Sequence, residues 1–221
     1  MIRMNKLVAY PLISALLLAG TQAQADLVVL QYHHVDDSTP PATSTSRSLF
    51  EAQMNMIRDI DLDVVPLEAG TKAALAGEHP DTNEVAITFD DPYESVHTFA
   101  APLLDRLGLP YTVFVNTDAV GAKGYMTWEQ LRAMADNELA TIANHSADHG
   151  HLARRRGEAE SEWENRVANS LDKAQQELKN RLGVEEPLFA YPYGEFDLAL
   201  EQTLSERGWL GYGQPHGDIG Q

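Results

Sequence analysis

Seven short apolar runs, each separated from the next by a polar or helically spaced stretch, constrain this chain more than any other feature. They are Leu27–Tyr32, Asp63–Pro66, Val85–Phe89, Tyr111–Val115, Ala140–Ala143, Leu188–Tyr191 and Leu210–Tyr212. Each is short enough for a strand and too short for a buried helix. Between them the spacing predicts helices. Ser48 is placed to cap one in which Phe50, Met54, Ile57 and Ile60 fall near helical spacing. Others are predicted over Glu68–Ala76, Tyr93–Leu107 with a kink at Pro102, Trp128–Asp136 behind a Thr127 cap, and Leu198–Glu206. The longest covers Glu158–Leu182, where Trp163, Val167, Leu171, Ala174, Leu178 and Leu182 make one apolar stripe and Gly183 suits the C-cap. His33–Ser46 reads as a loop. Strands alternating with helices argue for a parallel sheet with helices outside. The predicted fold is therefore α/β, a distorted or incomplete (β/α) barrel of about seven strands with outer helices, and an open doubly wound sheet is the alternative. In either, chemistry belongs at the C-terminal ends of the strands.

The first 25 residues stand apart from this pattern. Arg3 and Lys6 form a basic start, Leu7 to Gly20 is mostly apolar, and Ala23-Gln24-Ala25 supplies a small-x-small cleavage site. Residues 1–25 thus read as a secretory signal peptide and 26–221 as the folded domain. A membrane anchor is the competing reading, but the apolar run is shorter than the ~20 residues that a spanning helix needs. The expectation is an exported protein, periplasmic or secreted, with no membrane span once the signal is removed.

The chain has no cysteine, so disulfides, thiolate metal sites and a Cys nucleophile are excluded, and any metal must be held by His and carboxylate. Net charge is −17, and loss of Arg3 and Lys6 with the signal makes it −19. Such a field disfavours nucleic acid as a partner. It serves solubility, and it is also compatible with a product that becomes cationic.

Four polar or aromatic clusters lie at predicted strand ends. In Thr88-Phe89-Asp90-Asp91, two adjacent carboxylates follow a buried strand, which is costly unless they are paired, hydrogen-bonded or bound to a cation. A helix cap by Asp91 is the plainer reading. In Asn144-His145-Ser146-Ala147-Asp148-His149-Gly150-His151, His145 and His149 can converge on one ion if the segment makes a helical turn. Two His and one Asp make a facial ligand set with open positions; zinc is the first candidate, and iron, cobalt, nickel or manganese fit the same ligands. His151 reads as a surface loop residue. Phe189-Ala190-Tyr191-Pro192-Tyr193-Gly194 gives a rigid loop with flat faces that suit a sugar ring, though composition alone favours a turn packed on the core. Tyr32-His33-His34-Val35 could bring one His to the same end of a barrel.

Together these clusters resemble the NodB-homology polysaccharide deacetylases, carbohydrate esterase family four. The family's T-F-D-D motif stands as Thr88-Phe89-Asp90-Asp91 and its H-[ST]-x-x-H motif as His145-Ser146-Ala147-Asp148-His149. The resemblance spans Asp26 to Gln221. It implies that Asp91, His145 and His149 bind the metal, that Asp90 is the general base toward a metal-activated water, and that a backbone N–H, that of Tyr193, helps hold the oxyanion. The third motif usually carries an Arg that orients the base. Ala190 stands at that position while Pro192-Tyr193-Gly194 is retained, and Arg47 is one candidate substitute. The late Asp-Trp and Leu-x-His motifs are absent. The opening Leu30-Gln31-Tyr32-His33-His34-Val35 resembles the circularly permuted deacetylases of biofilm poly-β-1,6-N-acetylglucosamine, in which an early His replaces the late one. That subgroup implies His33 as general acid, with Tyr191, Pro192 and Tyr193 along the substrate. Its members continue beyond the segment resembling Gly211-Tyr212-Gly213-Gln214, so a C-terminally truncated domain is expected. The implied partner is an N-acetylated polysaccharide, with peptidoglycan, chitin oligomers or acetylated xylan as alternative substrates. A non-catalytic sugar-binding module is the alternative of another class.

Overall fold

A computed structural model describes residues 27–60, 62–78 and 83–213. The segment read as a signal peptide, residues 1–25, lies outside them. The apolar runs form strands β1 (Leu27–Tyr32), β4 (Asp63–Val64), β5 (Glu84–Asp90), β6 (Tyr111–Val115), β7 (Ala140–Asn144), β8 (Leu188–Ala190) and β9 (Leu210–Tyr212). All pair in parallel in one sheet of order β1-β5-β6-β7-β8-β9. The short β4 sits beside the start of β5. Among the described residues β1 and β9 end the sheet without pairing with one another. The result is the expected incomplete (β/α) barrel rather than a closed one.

Alternation along the strands separates two cores. Val85, Ile87 and Phe89 face outward into a cluster with helix α1 (Arg47–Asp59), α3 (Ala101–Leu107) and α4 (Trp128–Ala135). Ala86, Phe114, Ala143, Leu188 and Ala190 face inward and pack with Leu27 and with Leu67 of α2 (Leu67–Leu75). The small side chains of Ala86, Ala143 and Ala190 leave room inside for the ring of Phe114, which packs against Tyr212 of β9 (5.8 Å). The inward positions of β5 continue as Thr88 and Asp90, so the same alternation that builds the core delivers Asp90 to its C-terminal rim. Helix α5 (Glu160–Leu182) lays the predicted stripe of Trp163, Val167, Leu171, Ala174 and Leu178 into the interior and ends at Gly183 in the left-handed region (φ 77°). Helix α6 (Leu198–Glu206) buries Leu200 and Leu204 against β8 and α5.

Several local expectations are corrected. Ser46, not Ser48, caps α1: Ser46 is extended and its side chain accepts from Leu49 N, while Ser48 already lies in the first turn. The loop after β1 contains a small parallel pair, β2 (His34–Val35) with β3 (Ser44–Thr45). The predicted helix from Tyr93 is interrupted: Tyr93 bridges to Tyr125, a π-helical turn covers Val96–Ala100, and α3 then begins with Pro102 near its start. Proline is tolerated there because its missing N–H falls where no standard helical bond is needed. Helix α5 starts at Glu160 because Glu158 is drawn into the preceding turn by Arg166 and by Arg155 N.

Gly211 of β9 lies against Tyr191. A Cβ there would meet Tyr191 Cζ at 2.7 Å and its hydroxyl closer still. Gly211→Ala is therefore expected to destabilise the chain by about 1–3 kcal/mol through overpacking, seen as a lower urea midpoint; an unchanged midpoint would show that Tyr191 moves aside freely.

Candidate active site

Four non-glycine residues among the described ones have positive φ: Asp91 (69°), Ser146 (67°), His149 (51°) and Tyr193 (60°). Such backbones cost roughly 1–3 kcal/mol each and persist only where surrounding contacts impose them. Three of these four carry side chains that meet at the C-terminal rim of the sheet, and the fourth, Ser146, shapes the turn that presents one of them.

Asp90 ends β5 and is buried (1 % exposed). Burial pushes its carboxyl up to about 6; His33 and a hydrogen bond from Gln31 act in the opposite direction, and Asp91 adds to the rise. Asp91 leaves the strand in the left-handed region (φ 69°), which breaks the strand's alternation of side chains. Its buried Oδ1 has no hydrogen-bond partner. That atom lies 4.0 Å from His145 Nε2 and 3.8 Å from His149 Nε2.

His145 follows β7 directly, anchored by its N–H to Val115 O (3.0 Å). Its Nδ1 meets Ala190 O at 2.8 Å. A carbonyl can only accept, so Nδ1 carries the proton and the Nε2 lone pair faces Asp91. The segment to His149 is not the helical turn expected from the spacing. Asn144 Oδ1 accepts from Ser146 N (2.8 Å), and Ser146 Oγ accepts from His149 N (3.1 Å), folding a tight irregular turn. Ser170 of α5 holds it from behind, donating to Asp148 (2.7 Å) and accepting from Ala147 N (3.3 Å). Burial lowers the pKa of both His145 and His149, with the neighbouring His145 adding to the effect on His149, so both rings are neutral at pH 7.

The donor set fits a divalent cation. Ligand atoms of Asp91, His145 and His149 all lie within 4.8 Å of one another. Ligands sharing one ion at ~2.1 Å stand roughly 3–3.5 Å apart, a small side-chain adjustment from the observed pairs. An orphaned buried carboxylate oxygen facing two neutral imidazole nitrogens is the arrangement a cation completes.

His33 follows β1 and is near enough to act electrostatically on Asp90. His34 stacks on Tyr93 at 3.5 Å and lies near enough to Asp91 to feel its charge. Tyr191 and Pro192 are buried, Tyr191 packing against Phe189 and Phe196. Tyr193 is half-exposed; its ring meets the edge of His149 (4.6 Å) and stacks on His151 (4.4 Å), which in turn bonds Glu195 (2.8 Å). Arg47 does not supply the contact suggested for it: it pairs with Asp36 (3.6 Å) and lies over Phe99. The donor to Asp90 is Gln31, whose amide bonds Asp90 Oδ2. Nothing in residue type singled it out. The only sequence signal is its inward phase on the first strand.

Residues 77–210 match the family described as polysaccharide deacetylase. The chain belongs to that family. Among curated polysaccharide deacetylase relatives it is 26% identical over 192 residues to YxkH of Bacillus subtilis, covering 87% of this chain and 64% of that protein. It is 24% identical over 219 residues to the poly-β-1,6-N-acetyl-D-glucosamine N-deacetylase of Escherichia coli K12, covering 82% of this chain and 33% of that one. The chain thus spans less than two thirds of the length of these relatives. Among solved structures, IcaB from Ammonifex degensii superposes with a TM-score of 0.75 at 28% identity, over 86% of this chain and 84% of that one.

Proposed function

We propose that this polysaccharide deacetylase family member is an exported, metal-dependent hydrolase that removes acetyl groups from N-acetylglucosamine units, with poly-β-1,6-N-acetylglucosamine as its polymer. The observation that carries the proposal is the convergence of Asp91, His145 and His149 beside the buried carboxylate of Asp90. The polymer is suggested by the early His33 and by the relatives that bear that substrate in their names.

In this reading Asp91, His145 and His149 hold one divalent ion, zinc first, with cobalt, nickel, iron or manganese compatible with the same donors. When bound, such an ion acidifies water and polarises the acetyl carbonyl. Asp90 takes the proton from the attacking water; a pKa raised by burial makes it a stronger base that is still ionised at pH 7. The N–H of Tyr193 donates to the oxyanion as the carbonyl carbon becomes tetrahedral. His33 gives a proton to the nitrogen as the C–N bond breaks, leaving acetate and a free amine. Tyr191 and Pro192 fix the loop that presents Tyr193 to the sugar. Export rests on the reading of residues 1–25; among the described residues no helix is long and apolar enough to cross a membrane.

The test is acetate release by the metal-loaded chain from poly-β-1,6-N-acetylglucosamine, with peptidoglycan, chitin oligomers and acetylated xylan in parallel. Release from the first polymer is expected to dominate. Release only from another would move the substrate, and release from none with metal bound would favour a binding module. His33→Ala is expected to lower kcat by about 10²–10⁴-fold, the usual worth of a general acid, with metal content retained. Unchanged turnover would remove His33 from the reaction.

A further inference from the structure

Asp90 is the last residue of its strand, its carboxylate is buried, and the reaction proposed above needs one of its oxygens aimed at water. A side chain on a strand end has free rotamers unless something pins it. Position 190, on the inner face of β8, offers only a methyl group, and the Ala190 carbonyl is already taken by His145. The partner comes from the opposite side. Gln31 of β1 is in register with Thr88, so on the inner face it stands diagonally next to Asp90. A diagonal neighbour on one face of a sheet is within reach of a long side chain such as glutamine. Its Nε2 donates to Asp90 Oδ2.

We propose that Gln31 is the positioning residue of Asp90: it pins Oδ2 and thereby leaves Oδ1 as the oxygen that receives the proton. The inference rests on the deacetylase reading. The backbone under Gln31 is rigid, because β1 pairs with β5 over residues 27–32 and Thr88 Oγ1 donates to Leu30 O (3.1 Å). His33, two residues on, is carried by the same strand. One rigid strand thus sets both the orientation of the base and the place of the proposed acid. Gln31 itself is exposed to the cleft, so its side chain contributes little to the core. Gln31→Met, similar in length and without a donor, removes the hydrogen bond and little else.

Two measurements on the metal-loaded full chain test this. In kinetics, Gln31→Met is expected to lower kcat by about 10–100-fold, the effect of losing orientation at a reacting group. KM should stay within about two-fold, with metal content unchanged. In the Asp90→Asn background the same substitution should have no further effect, since positioning acts only through the base. A kcat within about two-fold of the parent, or an equal loss in the Asp90→Asn background, overturns the proposal. The second measurement does not depend on turnover. The side-chain amide resonance of Gln31, assigned by its disappearance in Gln31→Met, should move in Asp90→Ala, which removes the acceptor. An unmoved resonance overturns the contact whatever the substrate is. A moved resonance in a chain that releases no acetate would keep the contact and remove the deacetylase reading instead.

Discussion

Asp91→Ala is expected to release the divalent ion and to cut kcat/KM by on the order of 10³-fold or more, the rate equivalent of several kcal/mol of lost charge stabilisation. The substitution removes the one ligand whose buried oxygen lacks any other partner. His145→Ala should do the same, because its Nε2 is the ligand atom held most rigidly, through Nδ1 and Ala190 O. Metal content by mass spectrometry, read beside acetate release, checks both. A variant that loses activity while keeping a full equivalent of metal would show that these residues act in some other way.

Asp90→Asn should separate chemistry from binding. Turnover is expected to fall about 10²–10⁴-fold with metal content near that of the parent. The substitution also has a thermodynamic signature in the metal-free protein. The folded state raises the Asp90 carboxyl from its ordinary value of 3.8 to about 6, chiefly by burial. Between those values the unfolded chain gives up its proton first, so this group makes stability fall as pH rises through that window. Above pH 6 the whole cost is present, on the order of 3 kcal/mol at 1.36 kcal/mol per unit. Asparagine carries no such charge and can still accept from Gln31. The metal-free Asp90→Asn chain should therefore melt higher than the parent at pH 8 and alike near pH 3. Equal melting temperatures at pH 8 would show that Asp90 is better solvated than its burial indicates.

The chain carries its sheet openly. Every strand of the barrel coincides with an apolar run, most plainly β5 and β6, which are covered on both faces. The Asp90-Asp91 pair and the two histidines also stand out, because such residues directly after buried strands need an explanation. Conformation is harder to read than placement. His145 and His149 are four apart, which suggests a helical turn; Asn144 and Ser146 instead bond back to the local backbone and make an irregular one. Positive φ at Asp91, Ser146, His149 and Tyr193 leaves no mark in residue type, because tertiary contacts impose it on residues other than glycine. Gln31 escapes notice for another reason: it stands inside the Leu30–Val35 segment but its residue type assigns it no role, and only its pairing with β5 gives it a partner. Arg47 is a cation in a chain whose motif position holds Ala190 instead of Arg, yet Asp36 and Phe99 occupy it.

The measurement that bears most directly on the central claim is a metal titration of the chelated chain, with acetate release from poly-β-1,6-N-acetylglucosamine read at each addition of zinc. Asp91, His145 and His149 bring ligand atoms within 4.8 Å of one another, as a single proposed site requires. Activity should therefore be absent after chelation, rise linearly, and level off at a single equivalent, with no recovery in Asp91→Ala. Acetate release that survives complete chelation, or that recovers equally in Asp91→Ala, would contradict it.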